Sequence, residues 1–296
     1  MSGMTKKFAP NNDNMLGFLL LLPLVIIILG LIVYPLFSAV WLSLNEKTLG
    51  TSLQFVGFRN FFALIRDEIF QRAILNTLIY TVVGVGFKLL FGIMIALFLN
   101  QQFRGRNFVR GIMLLPWAIP TIVASLTWRW MYDDMNGILN LILMKLHIID
   151  LPISWLANIS MALPSVMVVS IWRHAPFFGI TLLAALQSIP KDLYDAADVD
   201  GASSWQKFWN VDLPGISAVM AIVTLLGIIW TLNEFQIVYV LTNGGPAHAS
   251  EVFSTLSFRT GITSLRMGRA AAISIMFLPF VGILIVITAN WLLRKE

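Results

Sequence analysis

Long apolar segments recur along this chain, and they restrict its possible folds more than any other feature. An α-helix needs about 20 consecutive apolar residues to cross a bilayer core of about 30 Å. The 296 residues are 58% hydrophobic and 12% charged, whereas soluble domains carry about 25% charged residues. An outer-membrane barrel would show segments of about 10 residues with alternating polarity, which the sequence lacks. The pattern therefore predicts an all-α integral membrane protein.

Six segments have the length and composition of membrane-spanning helices. They lie at about 16–44, 74–99, 111–131, 160–183, 216–241 and 270–292. The first is about twice as long as the apolar core of a signal peptide, so we expect it to remain as a helix. Residues 1–14 are polar and predict a cytoplasmic tail. Residues 15–296 then form one transmembrane domain, with a polar loop at 184–215.

Basic residues predict the orientation of the chain. Total Lys and Arg counts on the two sides are nearly equal, so the short segments next to the spans carry the argument. The basic residues of these segments are Lys6, Lys7, Arg104, Arg106, Arg110, Arg294 and Lys295. The segment 101–110 contains no acid. We therefore expect both termini and the 184–215 loop to lie in the cytoplasm.

The sequence lacks the residue patterns of several kinds of functional site. There is no cysteine, and the three histidines (His147, His174 and His248) are far apart, so we expect no metal site. Neither HExxH nor GxSxG occurs, and we find no acid pair that would face one interior site, which predicts no catalytic centre. A GxxxxGK[ST] phosphate loop is also missing. If ATP drives this protein, another polypeptide therefore binds it.

The segment 189–214 is a polar island between two apolar segments. It holds five of the fifteen acidic residues, namely Asp192, Asp195, Asp198, Asp200 and Asp212. Pro190 suits the start of a short helix, and Gly201 can adopt the left-handed conformation that ends it. Ser203 or Ser204 can cap a second short helix, which carries three aromatic residues. Such a surface suits docking into a groove of another protein, although an ordinary cytoplasmic loop is the alternative.

Polar and aromatic residues inside the predicted spans form a candidate substrate path. Ionisable groups within a membrane are costly and commonly mark a pathway or a paired interior site. The candidates are Arg173, Trp230, Asn233, Glu234, Gln236 and Tyr239. Amides and carboxylates bind hydroxyl groups well, because hydroxyls both donate and accept hydrogen bonds. Trp230 and Tyr239 could stack on a ring. We expect Asn233 and Gln236 near one helical face. The alternative is that Glu234 pairs with Arg173 and only holds helices together.

The polar island carries a family resemblance. The segment LYDAADVDGASSWQKFWNVDLP resembles the cytoplasmic EAA loop of the permease subunits of binding-protein-dependent ABC importers. In that family the loop is a coupling helix that sits in a groove of an ATPase subunit. The matching positions are Leu193, Asp195, Ala196, Ala197, Asp200, Gly201, Ala202, Phe208, Leu213 and Pro214. Asp195 stands where the family more often has Glu, a difference of one methylene.

Two further segments resemble the carbohydrate branch of this family, in its MalF-type half. They are IWRHAPF at 171–177 and NEFQIVYVLTNGGP at 233–246. The turn formed by Asn243, Gly244, Gly245 and Pro246 then corresponds to an outer loop or gate. The resemblance implies a type I importer architecture in a bacterial or archaeal cytoplasmic membrane, surrounded by membrane lipid.

The same resemblance implies the partners. They are a MalG-type second permease, two ATPase subunits that bind ATP and Mg²⁺, and an extracytoplasmic sugar-binding protein. It implies no contact with nucleic acid, and a net charge of +5 is explained by loop residues that set orientation.

Other functions stay open at this point. A permease of the same class could import glycerol phosphate or a polyol. An ion-coupled carrier would place ionisable residues at broken helices near the membrane midplane, and Glu234 fits that description in part.

Overall fold

The computed structural model describes residues 12–293, and 74% of the chain is helical. The basic residues predicted to orient the two ends, Lys6, Lys7, Arg294 and Lys295, lie outside the described residues. So does most of the predicted tail at 1–14. The predicted all-helical class is confirmed, since the one sheet within residues 12–293 has two strands of two residues each.

The first helical segment stands apart from the rest of the chain. Helix α1 (Asn12–Ile28) continues through a π-helical turn (Leu29–Val33) into α2 (Tyr34–Ser43). Its apolar part, Leu19–Ser43, has the hydropathy of a membrane span but buries none of its most apolar window within the chain. A small hairpin follows, in which β1 (Asn45–Glu46) pairs antiparallel with β2 (Gln54–Phe55), and then a short helix α3 (Arg59–Ile65).

Helices α4 (Glu68–Asn100) and α8 (Ala162–Gln187) form the centre of the fold. Their close approach depends on small residues, because a Cβ at Gly92 would strike Phe178 and one at Gly179 would strike Ile95. A Cβ at Gly227 would strike the far end of the same Phe178 side chain, at the tip of its ring. Phe178 is fully buried. Small residues at crossing points are the usual way in which membrane helices pack closely.

The predicted third span is not one straight helix. Helix α5 (Arg106–Ala118) and helix α6 (Thr121–Met131) meet at an angle of 89°. Pro120 explains the break, because proline lacks an amide hydrogen and forces the residue before it into an extended conformation. Ile119 is indeed extended, with ψ 135°. A short helix α7 (Ile138–Lys145) follows this pair.

The predicted fifth span is broken as well. Helix α12 (Ser217–Leu232) ends before Asn233, and α13 (Gln236–Leu241) starts three residues later. The chain then continues through α14 (Phe253–Phe258), a π-helical turn (Arg259–Thr263) and α15 (Met267–Leu293). Asn233 and Gln236 therefore do not lie on one continuous helix, which corrects the shared face expected from the sequence.

Within residues 12–293, three helices are long and apolar enough to cross a membrane. They are Leu19–Ser43, Glu68–Asn100 and Ala162–Gln187. The number rises to five if each of two bent pairs counts as one span. These pairs are Arg106–Ala118 with Thr121–Met131, and Ser204–Gly215 with Ser217–Leu232. Six spans and their cytoplasmic ends stay a prediction.

Candidate functional site

The polar island folds into two short helical arms, which we call the polar hairpin (Lys191–Gly215). Its first arm is α9 (Lys191–Val199), and its second contains α10 (Ser204–Lys207), a π-helical turn (Phe208–Asp212) and α11 (Leu213–Gly215). Pro190 precedes the first arm as its N-cap residue. The hairpin joins α12 at a bend of 67°.

The turn of the hairpin forms as its residues predict. Gly201 has φ 73°, in the left-handed region that favours glycine. The amide of Ala202 donates to the carbonyl of Ala197 at 2.9 Å, which closes the end of α9. Ser203 then caps α10, and the Gln206 side chain accepts from the Ser203 amide at 2.7 Å. This reciprocal capping box fixes the direction of the second arm.

Two side-chain contacts tie the arms together. Lys207 forms an ion pair with Asp198, and the Tyr194 hydroxyl donates to the Asp212 carboxylate at 2.5 Å. Burial, the hydrogen bond and the charge of Asp212 all raise the pKa of Tyr194. The hydroxyl therefore keeps its proton and its donor role up to and beyond the ordinary tyrosine pKa of about 10. The hairpin is thus built as one unit.

None of the residues in the hairpin is buried. Val199 at its tip is 89% exposed and Trp205 is 68% exposed, and Ala196 is exposed beside them. The residues predicted to contact an ATPase all lie in this hairpin: Leu193, Asp195, Ala196, Ala197, Asp200, Gly201, Ala202, Phe208, Leu213 and Pro214. These exposed side chains are available for contact with another protein, since the described part of the chain does not cover them.

The interior polar residues gather at the break between α12 and α13. Asn233 and Glu234 lie in the break itself, and Gln236 begins the next helix. Asn233 and Gln236 are exposed, Glu234 is half-buried, and the Tyr239 ring stacks on Phe235 with ring centroids 4.9 Å apart. Trp230 lies one turn earlier and packs against Phe177. The Asn233 side-chain amide donates to the Ile229 carbonyl at 2.8 Å, and the Glu234 carboxylate accepts from the Ile237 amide at 3.5 Å. Broken helices of this kind occur in membrane proteins where they line a cavity or are buried in protein.

Arg173 stabilises the other broken helix and forms no ion pair with Glu234. One of its guanidinium nitrogens donates to three carbonyl oxygens at the end of α5, those of Pro116, Trp117 and Ile119, at 2.9, 3.0 and 2.7 Å. These carbonyls lose their helical partners where Pro120 breaks the chain. Within residues 12–293, the ion pairs of the chain do not include one between Arg173 and Glu234. The alternative that they pair directly is therefore wrong.

Lys88 also lies at this site, in the interior of the chain, and the sequence alone did not reveal that placement. Its side chain is 1% exposed, and the ammonium donates to the Thr231 hydroxyl at 2.8 Å. Thr231 in turn donates to the Gly227 carbonyl at 2.6 Å, just before the break. A lone lysine within an apolar run gave a weak signal for this position, because such residues often extend to the membrane surface instead.

The predicted outer turn is held by a buried carboxylate that no sequence motif had marked. Glu251 is fully buried and lies 2.7 Å from Arg259 and 2.9 Å from His248. Gly244, with φ 78°, packs directly on this carboxylate, where a Cβ would collide. The turn Asn243, Gly244, Gly245 and Pro246 therefore folds around Glu251. It lies near the first turns of α4, since Asn76 donates to the Glu251 carbonyl at 2.9 Å.

Comparison with known proteins identifies similar chains. The chain is 37% identical to the trehalose/maltose transport system permease protein MalF of Thermococcus litoralis, over 82% of each chain. Its fold matches a bacterial ABC transporter involved in the import of the acidic polysaccharide alginate, with a TM-score of 0.83 and 25% identity over 96% of each chain. The alginate transporter in complex with an alginate pentasaccharide-bound periplasmic protein matches with a TM-score of 0.79 and 26% identity, over 96% of this chain and 93% of the other.

The family follows from a match that covers more than half of the sequence. Residues 88–294 match the profile of the binding-protein-dependent transport system inner membrane component. This range contains the polar hairpin and the break between α12 and α13. The predicted family is confirmed: the chain belongs to the inner membrane components of binding-protein-dependent transport systems.

Proposed function

We propose that this chain is a membrane-spanning permease subunit of an ATP-driven sugar importer. The polar hairpin is the observation that carries the proposal. It is fixed internally by its turn, its capping box and two side-chain contacts, yet it buries none of its residues within the chain. A rigid projection of this kind can transmit force only if another protein holds its exposed face.

The partner that fits the hairpin is a cytoplasmic ATPase subunit. The sequence has no phosphate-binding loop of its own, and its family works with binding proteins and separate components. ATP and Mg²⁺ would bind to that ATPase, and this chain would bind no cofactor and catalyse no reaction. Closure of two ATPase subunits would move the hairpin and, through the 67° bend at its base, helix α12.

A second, MalG-type permease is the partner that fits the first helical segment. Leu19–Ser43 buries none of its most apolar window within this chain. An apolar helix of this length faces lipid or another subunit in a membrane. We infer six membrane spans with both termini cytoplasmic, in a bacterial or archaeal inner membrane, and a pathway between the two permeases.

A sugar is the substrate that the interior site favours. Asn233, Glu234 and Gln236 present amide and carboxylate groups at the broken helix, with Trp230 and Tyr239 nearby. Such groups bind hydroxyls without requiring a charge on the substrate. Similar chains are named for trehalose and maltose and for alginate, and an extracytoplasmic sugar-binding protein would deliver the substrate.

The test combines purification with one pair of substitutions. The tagged chain should be purified from its native membrane, and a second permease and an ATPase should co-purify with it. Ala196→Trp, on the exposed face of the hairpin, should reduce sugar uptake into proteoliposomes relative to ATP hydrolysis. Ala157→Trp, at an exposed alanine outside the hairpin, should leave both unchanged.

A different outcome would support a different class of transporter. An ion-coupled carrier would transport a solute by itself, without an ATPase, in response to an ion gradient. Glu234 at a broken helix is the feature that favours this alternative. Uptake by the purified chain alone would therefore refute the proposed function.

A further inference from the structure

Two cavities lined with basic residues lie where α3, the first turn of α4 and the start of α15 meet. The first has a volume of about 380 Å³ and is lined by Asp67, Phe70, His248, Arg259, Arg266 and Arg269 among others. The second has a volume of about 250 Å³, shares Arg266 and Arg269 with the first, and adds Lys47 and Arg59. We call the two together the basic cleft.

The basic cleft has positive charge that the chain itself does not neutralise. Three of its arginines have carboxylate partners, because Arg59 pairs with Glu46, Arg259 with Glu251 and Arg269 with Asp67. Lys47 and Arg266 have none among the described residues. The Arg266 side chain is exposed and makes no hydrogen bond to any other described residue, although its amide donates to Thr260. The Lys47 ammonium donates only to the Thr51 carbonyl, at 2.6 Å. An anion in the cleft would therefore meet two cations that no carboxylate neutralises.

An apolar cavity of about 210 Å³ adjoins the basic cleft. It shares Phe70 with the cleft and is also lined by Ile74, Thr77, Phe253, Met276 and Phe277. Ile74 and Thr77 lie one to two turns further along α4 than Phe70, a residue of the cleft. Met276 and Phe277 lie about one turn further along α15 than Ile273, another residue of the cleft. Because α4 is a candidate membrane span, the apolar cavity lies on the bilayer side of the cleft.

We propose that the basic cleft binds the headgroup of an anionic phospholipid, with part of an acyl chain in the apolar cavity. An amphipathic ligand fits this pair, because a cavity lined with charged residues and an uncharged one share Phe70 as a lining residue. A free phosphate would fill only the cleft, and an acidic protein surface would leave the apolar cavity empty. Basic pockets between membrane helices are suited to anionic headgroups.

The surroundings of the cleft match the edge of a membrane. Phe58 and Phe62, on and beside α3, are both 65% exposed, and Trp41 at the end of α2 stacks against Phe55. Exposed aromatic rings of this kind are typical of the membrane–water interface. The cleft lies at the opposite end of α4 from the polar hairpin, and α4 is about 50 Å long. If the hairpin is cytoplasmic, the lipid belongs to the outer leaflet.

Native mass spectrometry of the full chain can test this site. The purified protein would be titrated with a palmitoyl-oleoyl phosphatidylglycerol and, separately, with the phosphatidylcholine of the same chains. We expect phosphatidylglycerol to bind more tightly than phosphatidylcholine. Arg266→Ala should weaken the binding of phosphatidylglycerol about fivefold. Arg104→Ala, at an exposed arginine near the other end of α4, is the matched control and should have no effect.

A second substitution distinguishes a lipid from a free anion. Ile74→Trp would fill the apolar cavity without changing the charge of the cleft. It should weaken phosphatidylglycerol binding and leave the binding of glycerol 3-phosphate unchanged. The proposal would be overturned if the two lipids bound equally well, or if Arg266→Ala and Arg104→Ala weakened phosphatidylglycerol binding equally. So would binding of phosphatidylglycerol that Ile74→Trp does not alter.

Discussion

Gly201 at the tip of the polar hairpin provides a quantitative test of how the hairpin works. Its φ of 73° costs most residues with a Cβ about 1–2 kcal/mol, with asparagine as the main exception. No atom lies within 4 Å of the position where a Cβ would stand, so Gly201→Ala adds only the backbone cost. In the free variant the turn alone can relieve that strain by opening locally, while the contact between Tyr194 and Asp212 still holds the arms together. Docking requires the turn to close again. The cost therefore appears in the affinity for the ATPase.

The expected magnitude follows directly from this cost. A loss of about 1–2 kcal/mol corresponds to a Kd for the ATPase subunit that rises about 5- to 30-fold. The measurement is a fluorescence titration of labelled ATPase onto the permease pair in nanodiscs. Gly201→Asn should bind nearly as well as the native protein, because asparagine tolerates the left-handed conformation.

A matched control separates strain from position. Gly50 has φ 86°, and a Cβ added there would also meet no atom within 4 Å, but this glycine lies in the β1–β2 turn, outside the hairpin. Gly50→Ala should therefore carry a similar backbone cost and leave the Kd unchanged. The reasoning is refuted if Gly201→Ala binds as well as the native chain, or if Gly201→Asn is as weak as Gly201→Ala.

Four further substitutions test the remaining sites. Glu251→Gln should lower stability by about 2 kcal/mol, a fall of several degrees in Tm, because it leaves the half-buried Arg259 without its carboxylate. Arg173→Lys should cost about 1–3 kcal/mol, measured by thermal unfolding, since an ammonium does not reproduce the contacts of the guanidinium with three carbonyls. Asn233→Ala and Glu234→Gln should each raise the KM for sugar uptake about tenfold and leave Tm unchanged. A change of about tenfold corresponds to the free energy of about one hydrogen bond.

The two stability predictions have controls elsewhere in the chain. Glu46→Gln removes the carboxylate of an exposed ion pair and should change stability by less than about 0.5 kcal/mol. Arg104→Lys replaces an exposed arginine and should leave Tm unchanged. If both Asn233→Ala and Glu234→Gln keep the native uptake affinity and sugar range, the break between α12 and α13 is not part of the substrate path.

The sequence by itself determined the class of protein and the local form of the hairpin. Apolar segments of about 20 residues dictate membrane helices, because no other open structure satisfies backbone hydrogen bonds within a bilayer. The hairpin was predictable because its signals are local: Gly201 ends one arm, and Ser203 caps the next within three residues. Such signals depend on neighbours along the chain and need no tertiary contact.

Only the tertiary structure decided where the predicted fifth span breaks and which polar groups meet. Residues 233–235 read as the middle of an apolar helix, yet the Ser254 hydroxyl donates to the Glu234 carbonyl at 2.7 Å from 20 positions away. Lys88 reaches Thr231 across 143 positions, and Arg173 reaches the end of α5 across more than 50. A carbonyl freed at a helix break is stable in a membrane only when another element supplies a donor. The local sequence does not specify that donor, since its position depends on the packing of distant helices.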